Sequence, residues 1–380
     1  EEFLGPRVAF ITGWSYWLIW ILVGVLEVTG IGLLMKYWFP ELAQWIPALV
    51  TTVVLMVINL FAVKTFGEVE FWLALIKVVT IVGLIAAGLA ILLFGLETSS
   101  QPPPSITHLW RHGGFFPNGW SGFWYAIPLA AFTFAGVEVI GLVAAETANP
   151  ERTLPRAINS IIWRMAIFYI GSIAVIMALY PWNQIDTSQS PFVRVFDSIG
   201  LGVAAGLINF VVISALASSC NTGLFATSRM LFALSHIQQA PRQLQVLSPR
   251  QVPARCLMVS TAILLVGVLL NYLMPERIFN LLITGILGLL IWVWAVIIAT
   301  HMAYRRKVQR GELPLMAYRL PWARGSSVLV LLFLAGLTVL VIRDPETRTA
   351  FYVAAAWFAL LLLVYPKRNA SKEVSDVHSA

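Results

Sequence analysis

Charge is scarce in this chain. Charged residues fill 11% of its 380 positions, against about 25% in soluble domains. Hydrophobic residues make up 59%, and the mean hydropathy is +0.82. A water-soluble fold cannot hide that much apolar side chain, so a polytopic all-α membrane protein is expected instead. Cysteine is scarcer still. Cys220 and Cys256 lie in or beside apolar segments without metal-ligand spacing, which argues against a disulfide framework or a zinc centre. The five histidines (His108, His112, His236, His301 and His378) fall in loops, the tail or segment ends. No G-x-S-x-G, H-E-x-x-H or Walker sequence occurs, so an enzyme is not expected, nor a cofactor or a resident metal. Aromatics are plentiful by contrast: 15 Trp and 10 Tyr suit the membrane interface.

Since a span takes roughly 20 residues, about ten apolar segments are long enough to cross. They run over 10–34, 46–63, 70–94, 120–147, 158–180, 198–224, 256–273, 278–302, 327–342 and 350–366. Turn residues separate them, among them Pro40, Gly67, Pro150, Pro181, Pro241, Pro275, Pro314 and Pro345. Residues 1–366 read as one membrane domain, and 367–380 as a cytoplasmic tail. With the N-terminus placed in the cytoplasm, only Lys36, Arg111, Arg194, Arg277, Arg343 and Arg348 of the 25 basic residues fall outside. The positive-inside bias therefore puts both termini in the cytoplasm. The net charge of +7 is a topology signal, not a nucleic-acid footprint. Tyr304-Arg-Arg-Lys307 is a solvated loop able to touch anionic lipid. The chain opens on Glu1-Glu-Phe-Leu-Gly-Pro6-Arg7, without Met or a signal peptide, and reads as the middle of a loop.

Polar residues inside these segments are the candidate site. Glu138 sits two residues after Gly136 in segment 120–147. A carboxylate at that depth costs roughly 3 kcal/mol on insertion scales, so it marks function or a hydrogen bond to a neighbouring helix. Glu27 is a second carboxylate, either protonated during transport or close enough to the helix end to reach water. Lys77 lies two turns into its segment, roughly 10 Å deep at 1.5 Å per residue. It either snorkels to the interface or acts as an exchangeable ammonium. Ser218, Ser219, Asn221 and Thr222 form a polar cluster that serves a site or bonds between helices. Glu146, near a helix end, calls for a cation such as Arg152 or Arg156.

The run Phe132-Thr-Phe-Ala-Gly-Val-Glu-Val-Ile-Gly-Leu-Val-Ala-Ala-Glu-Thr-Ala-Asn149-Pro150, followed by Leu154-Pro-Arg-Ala-Ile-Asn-Ser160, resembles the sixth helix and following loop of bacterial amino-acid permeases. These form the amino acid transporter family of the amino acid–polyamine–organocation (APC) superfamily. Gly13-Trp-Ser-Tyr-Trp17, Val63-Lys-Thr-Phe-Gly-Glu-Val-Glu-Phe-Trp72, Ser190-Pro-Phe192, Ser228-Arg-Met-Leu231 and Val252-Pro253 match in the same order. The resemblance implies an inverted-repeat (LeuT-like) fold of twelve helices, with the ten segments here as helices three to twelve. The first two helices would lie outside these 380 residues, which alone would hold half of the site and would not transport. It implies substrate contacts from Thr133, Phe134, Ala135 and Gly136, with Glu138 beside them. It implies proton coupling through Lys77, which faces Ser218, with Glu27 as a further carboxylate. The expected activity is proton-coupled uptake of small neutral amino acids (alanine, serine, glycine, threonine or proline) across the bacterial inner membrane. The expected partners are the amino acid, the proton and the lipid bilayer. An amino-acid sensor on a permease scaffold, or an inactive truncated fragment, are the alternatives.

Overall fold

The computed structural model describes residues 1–365 except 62, 97–101, 144–148, 186–189, 199–201, 275–277, 317 and 346. The expected tail, 367–380, and Glu146 lie outside the described residues. Helices in chain order are α1 (Pro6–Met35), α2 (Trp45–Phe61), α3 (Val63–Phe94), α4 (His108–Arg111), α5 (Gly119–Phe132), α6 (Val139–Val143), α7 (Pro150–Met165) and α8 (Ser172–Leu179). They continue as α9 (Pro191–Ser198), α10 (Gly202–His236), α11 (Ala254–Leu273), α12 (Ile278–Gln309), α13 (Ala323–Arg343) and α14 (Arg348–Val364). Among the described residues, seven helices are long and apolar enough to cross a membrane, and Trp45–Leu60 and Phe351–Val364 are shorter apolar helices.

Among the described residues the expected segments are helical, with three differences, the first being the π turn Ala166–Gly171 inside segment 158–180. Gly67 was expected in a loop, yet α3 runs helical from Val63. One glycine costs a helix about 1 kcal/mol, a small term in a helix of 32 residues. Segment 120–147 is not one helix: α5 stops at Phe132 and α6 starts at Val139.

The chain divides into two compact units. One comprises Glu1–Val23, Gly223–Ile263 and Arg277–Ala380. Its core gathers Trp17, Ile21, Leu231, Leu244 and Cys256. Indole N–H groups tie its helices: Trp17 donates to Ser260 Oγ at 3.0 Å, and Trp357 to Ser15 Oγ at 3.1 Å. An indole is apolar over its face and polar at one atom, so it fills a helix interface and binds across it. Here α12 packs against both α13 and α14.

The second unit comprises Gly24–Thr222 and Leu264–Glu276 and holds every candidate site residue. Its core sets Leu84 and Ile91 of α3 against Val175, Ile176 and Leu179 of α8. Outside the spans, buried His108 places Nδ1 3.1 Å from the Ala178 carbonyl. Burial pushes that imidazole below its ordinary range, against the opposing pull of the carbonyl.

A buried amide network fastens one region of this unit. Gln44 Nε2 donates to Asn271 Oδ1 at 2.9 Å, and Asn271 Nδ2 donates to Thr29 Oγ1 at 2.8 Å. All three side chains are buried. Replacing Asn271 with leucine strands the Gln44 amide, a loss of about 1–3 kcal/mol for a buried polar group left without a partner, while Thr29 keeps its bond to the Val25 carbonyl at 2.6 Å. Asn271→Leu is expected to lower the thermal unfolding midpoint in detergent. An unchanged midpoint would show that the network does not hold this region.

Candidate functional site

Residues 133–138 form turns between α5 and α6, and Gly136 takes a φ of +94°. Only glycine reaches that region without steric cost. As α5 ends, its hydrogen bonds tighten to three-residue steps, from Thr133 N–H to Ala130 and from Ala135 N–H to Phe132. The Gly136 N–H then leaves the ladder and donates to the Glu138 carboxylate, 3.2 Å from each oxygen. Glu138 therefore folds back over the break that the glycine makes. The end of α5 carries the negative pole of a helix dipole. Thr133 and Phe134 are exposed there, with Ala135 and Gly136 half-buried. A polar ligand with a cationic head fits this end chemically.

A second polar group is built on α10. Ser218, Ser219 and Asn221 each reach a different helix. Lys77 Nζ on α3 donates to Ser218 Oγ at 2.7 Å. Ser219 Oγ donates to Glu27 Oε1 on α1 at 2.6 Å. Asn59 Nδ2 on α2 donates to Asn221 Oδ1 at 2.6 Å. Thr222 turns inward to the Ser218 carbonyl at 3.1 Å. A lysine and a carboxylate are thus held by consecutive residues of one helix.

Close packing puts Glu27 there. Gly24 and Gly30 flank it at three-residue spacing, on one face of α1. A β-carbon on Gly24 would lie 2.6 Å from Leu264 of α11, and one on Gly30 would lie 3.1 Å from Leu216 of α10. Small residues let membrane helices approach this closely, and the short gap lets a glutamate reach a serine hydroxyl.

With this geometry in view, comparison with known proteins is specific. The profile described as "Amino acid permease" matches residues 1–372. The chain belongs to the amino acid permease family. The permease is 43% identical over 374 residues to the uncharacterized transporter YdgF of Bacillus subtilis, covering 98% of this chain and 81% of that protein. It is 42% identical over 365 residues to the amino-acid permease AapA of Bacillus subtilis, covering 96% and 79%. Against the D-serine/D-alanine/glycine transporter of Escherichia coli it is 40% identical over 364 residues, covering 95% and 77%. The permease is thus a multi-pass membrane protein of amino-acid uptake, as the motifs from Gly13 to Pro253 implied.

The permease brings Lys77 to Ser218 and Glu27 to Ser219, and gathers Thr133 to Glu138 at one break. Two partners were missed. Asn59 is one polar residue in an apolar helix, and its pairing with Asn221 shows only in three dimensions. Tyr169 carries no distinguishing mark in the sequence, yet its hydroxyl donates to the Thr133 carbonyl at 3.0 Å.

Proposed function

We propose that this permease is a proton-coupled symporter of small neutral amino acids in the bacterial inner membrane, with both termini of this chain in the cytoplasm. The observation that carries the coupling is the Lys77 ammonium on Ser218 Oγ at 2.7 Å, inside an apolar span. A lysine in that setting is the group that takes up and releases the transported proton. In the protonated state it grips Ser218 and ties α3 to α10. On losing the proton it keeps far less of that grip, so α3 and α10 are freed to shift. Glu27 of α1, held by the adjacent Ser219 of α10, is the second proton-accepting group.

The substrate's ammonium group binds at the broken end of α5, against carbonyls of the Thr133–Gly136 turn. Phe134 lies beside it and limits side-chain size. The E. coli relative named for D-serine, D-alanine and glycine supports small neutral substrates. The bias of basic residues toward one side supports the orientation.

Uptake of labelled glycine, alanine and serine into vesicles of the full-length protein tests this. An imposed inward proton gradient in sodium-free buffer is expected to drive accumulation, and a protonophore to abolish it. Uptake indifferent to the gradient would sink the coupling, and substrate binding without any uptake would sink transport.

A further inference from the structure

The break between α5 and α6 leaves one backbone hydrogen bond unmade, and two side chains take its two ends. The three-residue ladder runs Thr133 to Ala130, Phe134 to Ala131 and Ala135 to Phe132, at 3.2, 3.0 and 2.9 Å. Its next rung would join the Gly136 N–H to the Thr133 carbonyl. Instead the N–H goes to Glu138, and the carbonyl accepts the Tyr169 hydroxyl at 3.0 Å. The following rung is made again, from Val137 N–H to the Phe134 carbonyl at 3.3 Å.

Tyr169 is specially placed. It lies in a π-helical turn, Ala166–Gly171, inside the apolar span Glu151–Leu179. The Ser172 hydroxyl bonds back to the Phe168 and Tyr169 carbonyls in that turn. Single π turns are uncommon and concentrate at functional positions, because the extra residue re-aims nearby side chains.

We infer that Tyr169 is a positioning residue for transport: its hydroxyl holds the Thr133 carbonyl out of the helix ladder and so keeps the break open for the substrate ammonium. This rests on the proposed binding of that ammonium at the break. A carbonyl has two lone pairs, so substrate and Tyr169 share it. Without the hydroxyl, the Thr133 carbonyl takes back the Gly136 N–H and the rung closes.

Tyr169→Phe removes a single oxygen. The KM for uptake is expected to rise roughly three- to tenfold, the scale of one net hydrogen bond, with Vmax changed less than about twofold. The Gly136 amide is expected to exchange more slowly with deuterium as the rung closes. Combined with Glu138→Gln, the effect is expected to fall short of the product of the two, because both residues act on one rung. An unchanged KM at normal abundance overturns the inference. If the phenylalanine protein does not reach the membrane, difluorotyrosine at 169 keeps the shape and makes the hydroxyl more acidic. KM then rises with pH as the donor is lost, whereas a flat profile overturns the inference. Gly136→Val separates the two ideas. Full uptake by that variant sinks binding at the break, while its loss beside a neutral Tyr169→Phe sinks only the role of Tyr169.

Discussion

Lys77→Met is expected to cut gradient-driven uptake roughly a hundredfold or more, the scale set by positioned proton-transfer groups. Methionine keeps the length and apolar stem of lysine but has no exchangeable proton. Ser218 loses the donor that sits 2.7 Å away, and the link between α3 and α10 no longer depends on proton binding. Substrate exchange across vesicles without a gradient is expected to persist, since the break between α5 and α6 is untouched. Lys77→Arg separates coupling from packing. A guanidinium keeps the charge and can still donate to Ser218, yet it does not release its proton in a protein. If Lys77 only snorkels or packs, arginine restores uptake. If it cycles its proton, arginine stays as inactive as methionine. Recovery by arginine would return Lys77 to the structural role that the sequence alone left open.

How much of this was legible beforehand depends on the residue. The all-helical, apolar character and the glycine break were readable, because membrane helices and a Gly136–Glu138 pair leave marks in linear order. The polar cluster at 218–222 was readable as a cluster, but not its division of labour. Ser218 and Asn221 share one face of α10 while Ser219 lies off it, and the partners Lys77, Glu27 and Asn59 come from three other helices. Spacing along one segment carries no information about which neighbour it faces. Gly67 misled for the opposite reason. Taken alone it reads as a turn, yet it lies inside a 32-residue helix that absorbs its cost. Tyr169 was invisible because a π turn has no simple sequence pattern, and the bond it makes exists only where α5 has broken.

Gly136 is the other place where a single substitution has a large expected effect. Its φ of +94° is open to glycine and strained for any residue with a β-carbon, by about 1–3 kcal/mol. That strain acts on the break itself. A residue that refuses positive φ turns its N–H back toward the Thr133 carbonyl, away from Glu138, and the end of α5 is no longer presented to a ligand. About 2 kcal/mol of bias against the open break lowers apparent substrate affinity roughly thirtyfold. Side chains differ in their tolerance of this region: asparagine enters it more readily than alanine, and β-branched residues least of all. Uptake is therefore expected to fall in the order glycine, asparagine, alanine, valine, with KM rising along the series. The Lys77–Ser218 contact lies outside the break, so the residual uptake keeps its dependence on the proton gradient. Equal activity in the asparagine and valine proteins would show that backbone strain at Gly136 does not govern binding. Loss of gradient dependence along the series would show that the break and the Lys77 group do not act separately.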